Sequence, residues 1–141
     1  MSQDTGKFRT NTKDQYYTKL AVAKQCVEKI VSLLPQAKEF QWIEPSAGNG
    51  SFVKATPGGF DLVAIDLDPQ ANNIIKGDFL QWSPTTSKTR IVFGNPPFGR
   101  QSSLAKAFIK HACSFAHVVA FILPRSFVKP SMSRAFPQML S

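Results

Sequence analysis

What most constrains the fold of this chain is a repeated unit: a short apolar run that stops abruptly at a glycine, an acid or a proline. Phe40–Ile43 runs into Glu44-Pro45-Ser46-Ala47-Gly48-Asn49-Gly50, and Asp61–Ile65 stops at Asp66. Ile74-Ile75 leads to Gly77-Asp78-Phe79, Arg90–Phe93 to Gly94-Asn95-Pro96-Pro97, and His117–Leu123 to Pro124. Runs of this length and composition read as buried strands. Helical patterns separate several of them. Leu20, Ala23, Val27, Ile30, Val31 and Leu34 recur every three or four residues, giving one apolar face that Pro35 ends and Thr18 can cap. A further turn or two of helix is expected from Ser51, and another helix over Ser103–Phe115, with Asp68-Pro69 as a turn and helix start. Strand, turn, helix, strand, repeated, predicts a doubly wound parallel α/β sheet whose ligands lie at the carboxyl ends of its strands.

The stretch Arg90–Gly99 carries the sharpest chemistry. Consecutive prolines fix φ twice and hold Asn95 extended, because helical geometry there would clash with the following ring. The bracket so formed presents the Asn95 amide, two proline carbonyls and the Phe98 ring. That set suits methylation of a planar, conjugated amino group, whose lone pair is delocalised and therefore a poor nucleophile. Asn95 Oδ1 and the Pro96 carbonyl can accept its two N–H protons and draw the nitrogen toward tetrahedral geometry. Phe98 can stack on the flat substrate and hold it for in-line attack. The plainer reading is a Pro-Pro turn leaving a core strand.

The other strand tips bear on a ligand as well. Gly48 and Gly50 allow a tight turn and a close approach of ligand to backbone. The third glycine of a dinucleotide fingerprint is absent and Glu44 precedes the loop, while no Gly-Lys-Ser/Thr is present to cradle phosphates. A carboxylate at Glu44 suits a ligand with a cationic amine. Asp66, 18 residues after Gly48, reads either as a turn-forming acid or as an acceptor for ribose hydroxyls. Asp78 can accept from an adenine amino group, with Phe79 packed on that ring. Tyr16 and Tyr17 either anchor the first helix or wall a small-ligand pocket.

Charge is segregated along the chain. All nine acidic residues lie within Met1–Asp78, balanced there by nine Lys and Arg, whereas Phe79–Ser141 holds eight Lys and Arg and no acid. The net charge of +8 therefore resides in the half that contains Asn95, which points to a polyanionic partner, nucleic acid. Lys7, Arg9 and Lys13 are also available to phosphates. The two cysteines, Cys26 and Cys113, lie far apart with no CxxC, so neither a disulfide framework nor a metal site is expected. No signal-like or membrane-spanning apolar run occurs, giving the expectation of a cytoplasmic or nuclear protein without a membrane partner.

With these residues in place, the chain resembles the S-adenosylmethionine-dependent adenine-N6 methyltransferases, especially the TaqI-like group. Glu44–Gly50 is similar to their first motif, Ala64–Pro69 to the acidic ribose motif and Gly77–Trp82 to the adenine-binding motif. Asn95–Phe98 is similar to their catalytic Asn-Pro-Pro-Phe/Tyr, and Asp14–Thr18 to their N-terminal cofactor motif. The resemblance implies a Rossmann-like class I methyltransferase fold. It places residues 1–13 in a flexible basic segment, 14–124 in the cofactor-binding domain, and 125–141 in a basic tail or the start of a further C-terminal part. It implies S-adenosyl-L-methionine held by Tyr17, Thr18, Glu44, Ala47, Gly48, Gly50, Asp66, Asp78 and Phe79. Asn95, Pro96 and Phe98 would be catalytic. The target adenine would be flipped out of its stack onto Phe98, with Pro97, Arg100, Lys106, Arg125 and Lys129 on the substrate side.

Two departures accompany the resemblance. The family sheet continues past strand five with a helix and an antiparallel strand pair, for which Pro124–Ser141 is too short. Strand five is thus expected to be an exposed apolar edge, truncated unless a partner or further segment covers it. No target-recognition domain is expected within these residues either. Two other functions compete: methylation of a glutamine amide in a protein, which uses a similar Asn-Pro-Pro loop, and a non-catalytic nucleic-acid-binding or partner subunit, a truncated remnant.

Overall fold

The computed structural model describes residues 18–97 and 103–123, and the backbone of residues 139–140. In chain order the elements are α1 (Leu20–Leu33), β1 (Gln41–Glu44), α2 (Ser51–Ala55), β2 (Asp61–Asp66), β3 (Ile75–Lys76), β4 (Arg90–Gly94), α3 (Ser103–Cys113), β5 (Val118–Phe121) and β6 (Met139–Leu140). Single 3₁₀ turns form at Ala37–Glu39 and Phe79–Gln81. The strands make one sheet in the order β3-β2-β1-β4-β5-β6, parallel at every pairing. This is the doubly wound, Rossmann-like α/β architecture that the strand–helix alternation predicts.

Because side chains alternate across a strand, each central strand feeds both cores. Trp42, Ile91 and Phe93 pack with Ala23, Val27 and Ile30 of α1 and Phe52 of α2. Their neighbours Ile43 and Val92 face the other way, packing with Ala105, Phe108, Ile109 and Ala112 of α3 and with Ile65, Val119 and Phe121. Phe93 meets Trp42 and Phe52 edge-on, with ring centroids 5.0 and 5.7 Å apart. Burial of each such large apolar side chain contributes about 1.5–3 kcal/mol, so this double core holds β1 and β4 rigidly side by side.

Four expectations need correction. Thr18 does not cap α1. The N-cap is Lys19, which makes no side-chain cap bond, because the Thr18 hydroxyl is taken up by Asn95. No helix follows Pro69; a turn joins β2 to β3, with Asn73 left-handed at φ 67°, and the Gln70 amide is drawn instead to the Gly48 carbonyl, 3.1 Å away. β1 runs one residue further than Ile43, so Glu44 belongs to the strand itself. Finally, β5 is not the edge of the sheet. Val119 and Ala120 pair with Met139 and Leu140, within the segment expected to be a tail. A two-residue strand carries no legible periodicity; the open backbone groups along β5 provide its place.

Candidate functional site

The chain leaves β1 toward one side of the sheet and β4 toward the other, so the order reverses between these two strands. In open α/β sheets the crevice beyond such a switch point is where ligands bind. A cavity of about 340 Å³ opens there, within the usual range for small-molecule sites. Thr18, Glu44, Ala47, Gly48, Asp66, Asp78, Phe79, Asn95, Pro96 and Pro97, all singled out in the sequence, line it together. Gly50 stands just outside the lining, where its φ of +83° lets the chain turn into α2 while a Cβ would come within 3.0 Å of the Ala71 methyl. Lys106 is exposed on α3 and is not part of the wall. Tyr17, Phe98, Arg100, Arg125 and Lys129 lie outside the described residues.

Asp66 ends β2 and ties down two loops. One carboxylate oxygen accepts the Gly48 N–H at 2.8 Å and the other the Asp68 N–H at 2.8 Å. The Ala47 N–H reaches the Ile65 carbonyl at 2.9 Å, so the glycine loop is pinned along the tip of β2. A carboxylate has about four lone-pair sites, so Asp66 keeps acceptor capacity toward the cavity. Asp78 accepts the Leu80 N–H at 3.0 Å and starts the 3₁₀ turn.

Glu44 is held differently. It is 1% exposed at the end of β1, where its Oε1 accepts the Ser46 N–H at 2.7 Å and its carboxyl accepts the backbone N–H of Asn95. Burial pushes its pKa up to about 8, and the nearby charge of Asp66 adds to that, while the two N–H donors pull the other way. Gly94 makes room for it: φ is +123°, and a Cβ on that residue would collide with Glu44 Oε2. On the other flank, the Gly94 carbonyl accepts from the Ile122 N–H at 2.8 Å. The Asn95 side chain is tied as well, its Nδ2 donating to Thr18 Oγ1 at 3.2 Å across 77 residues of sequence.

No protein-family model matches the chain, and no curated protein does. The site is therefore read from its own chemistry. Three carboxylates, Asp66, Asp68 and Asp78, belong to the described lining together with the buried acid Glu44, and it contains no Lys, Arg or His. In a chain of net charge +8, this is an acidic hollow set in a basic body. It favours a small ligand carrying positive charge over a pyrophosphate-bearing one.

Phe79 lines the cavity and is also part of the core behind it. Its ring is 1% exposed and enclosed by Trp82, Phe108, His111 and Phe115, with centroids 4.9–6.4 Å away. It supports the cavity floor and offers little open face for a ligand to stack on. Pro96 is likewise fully buried. Residues that sequence reasoning passed over are Leu67, Leu104 and Phe108, which supply apolar wall. Leu67 had a signal: a large apolar residue between two acids in a turn, left 65% exposed. The α3 pair had none, since i, i+4 apolar spacing reads as core. His111 and His117 serve structure, Nε2 of the first lying 2.6 Å from the Trp82 carbonyl and Nδ1 of the second accepting the Arg90 N–H at 3.0 Å. Burial raises the pKa of both Cys26 and Cys113, the opposite of an activated thiolate. Among the described residues no cluster could hold a metal, and no helix is long and apolar enough to cross a membrane.

Proposed function

We propose that this protein is an S-adenosyl-L-methionine-dependent methyltransferase acting on the N6 amino group of adenine in nucleic acid. The observation that carries the reading is the acid-lined cavity at the switch point, with Asp66 and Asn95-Pro96-Pro97 both in its lining. Bound there, S-adenosyl-L-methionine supplies an electrophilic methyl group on a positively charged sulfur. Its size and net positive charge suit an acidic hollow of about 340 Å³. Asp66 accepts from the ribose hydroxyls with its remaining lone pairs, Asp78 accepts from the adenine amino group, and Leu67 covers an apolar face. Asn95 Oδ1 and the Pro96 carbonyl accept the two protons of the substrate amine. Drawing that nitrogen out of conjugation strengthens those bonds most at the transition state, which is where they accelerate transfer. Asn95 is an amide and cannot act as a base, so the proton released on transfer goes to water.

Nucleic acid is favoured over a glutamine-bearing protein by the segregation of all acidic residues into the first half and the unbalanced basic second half. A target adenine must leave its stack to reach a recessed site. The test is incubation with methyl-labelled donor and, separately, DNA, RNA and protein. Label is expected on adenine N6 of nucleic acid, with Asn95→Ala lowering turnover about 10²–10³-fold. Affinity for a single strand should fall with salt at roughly −0.7 in log–log slope per phosphate neutralised. Label on protein alone, with a flat salt response, would move the activity to a glutamine amide. No transfer to any substrate would leave the non-catalytic reading.

A further inference from the structure

The acid at the tip of the first strand is the one carboxylate of the cavity that is withdrawn from it. Asp66 and Asp78 are partly exposed and Asp68 is exposed, whereas Glu44 is 1% exposed. Its oxygens are occupied by the chain: the Ser46 N–H at 2.7 Å, the Asn95 N–H, and the Gly94 backbone, packed so closely that no side chain fits there. A ligand ammonium would have to displace these contacts to reach it. Burial also favours the neutral acid at neutral pH, which removes the charge a counter-ion needs.

We propose that Glu44 is a positioning residue for Asn95 and does not bind the cationic amine of the methyl donor. It reaches from β1 to the first residue of the loop after β4 and fixes the Asn95 backbone from one side. The Ile122 N–H holds the preceding carbonyl from the other, and Thr18 takes the side-chain Nδ2. Pro96 and Pro97 follow and stiffen the loop on the far side of Asn95. Gly94 belongs to the same device, since only glycine leaves space for the carboxyl. The inference rests on Asn95 being the residue that meets the substrate amine.

Two substitutions separate a clamp from a counter-ion. Glu44→Asp keeps a titratable carboxyl and, by forming the i, i+2 turn that aspartate favours, keeps the Ser46 bond; it draws the carboxyl back from Asn95. Glu44→Gln keeps the reach and makes the group permanently neutral. Backbone amide exchange is followed by NMR, donor affinity by calorimetry with S-adenosyl-L-methionine, and turnover at saturating donor. The clamp predicts that Asn95 exchanges about tenfold faster in Glu44→Asp, with turnover lowered roughly ten- to a hundredfold. It further predicts donor affinity within about threefold of native in Glu44→Gln, a change smaller than the loss of one charged hydrogen bond. Unchanged Asn95 exchange in Glu44→Asp, together with a tenfold or greater loss of donor affinity in Glu44→Gln, would overturn it. If the native protein methylates nothing, the transferase reading fails, and the exchange rate of Asn95 in Glu44→Asp then decides the clamp by itself.

Discussion

Gly94→Ala is the most economical probe of how the two halves of the site are joined. At φ +123° an L side chain is strained, at a cost of about 1–3 kcal/mol. The new methyl would also overlap Glu44 Oε2 and lie 2.7 Å from the Glu44 carboxyl carbon and 3.3 Å from Cγ. Glu44 is 1% exposed and held by the Ser46 N–H at 2.7 Å, so moving it aside breaks that bond and overpacking adds about 1–3 kcal/mol. Alanine stiffens the unfolded chain and returns roughly 0.4–1 kcal/mol. The net loss is therefore about 1–6 kcal/mol, a large share of the 5–15 kcal/mol typical of a domain. Equilibrium unfolding in urea, followed by the fluorescence of the buried Trp42, measures it as a lower midpoint at unchanged slope. The two contributions separate in a double-mutant cycle with Glu44→Ala, which removes the collision and leaves the backbone strain. The pair should then be less destabilising than the sum of the single changes by about 1–3 kcal/mol, the cost of overpacking. A loss below about 0.5 kcal/mol for Gly94→Ala, or a cycle additive within that margin, would show that the carboxyl does not sit against Gly94.

Two further outcomes are expected. The folded protein holds the Glu44 proton up to about pH 8 against an ordinary value of 4.5, so between those limits it binds more protons than the unfolded chain. The stability Glu44 contributes is complete below about pH 4.5 and is lost as pH rises toward 8; at up to 1.36 kcal/mol per unit this reaches on the order of 3 kcal/mol by pH 7. Urea midpoints from pH 5 to 8 should therefore fall more steeply for the native protein than for Glu44→Gln, and parallel curves would refute the buried acid. Asp66→Asn leaves one oxygen for the Gly48 and Asp68 amides and removes the charge facing the cavity, so S-adenosyl-L-methionine should bind about tenfold or more weakly by calorimetry, the worth of a charged hydrogen bond; unchanged affinity would confine Asp66 to pinning the loop.

The fold was legible in the sequence because its signals are local. Each strand announces itself by an apolar run and a stop, and alternation along Trp42-Ile43 and Ile91-Val92-Phe93 suffices to cover both faces of a sheet. The same holds for part of the site: Pro96 and Pro97 stiffen their loop whatever surrounds them, and Asp66 falls at a strand tip by count alone. Those residue types predict a ligand end and an amide end, and the parallel topology brings them into one cavity.

What only the tertiary structure decided are the contacts between residues far apart in the chain. Thr18 reads as a helix cap until Asn95, 77 residues away, takes its hydroxyl. Phe79 reads as a stacking ring until Phe108 and His111 of α3, and Phe115 just beyond it, close around it. β6 reads as a tail until β5 offers its open edge. Glu44 is the plainest case: a carboxylate at a strand tip reads as charge for a ligand. Its real surroundings, a missing Cβ at Gly94 and two inward N–H groups, exist only once β1 and β4 lie side by side. Sequence determines which groups are available; burial, which depends on all the neighbours at once, sets whether an acid keeps its proton and which partner it holds.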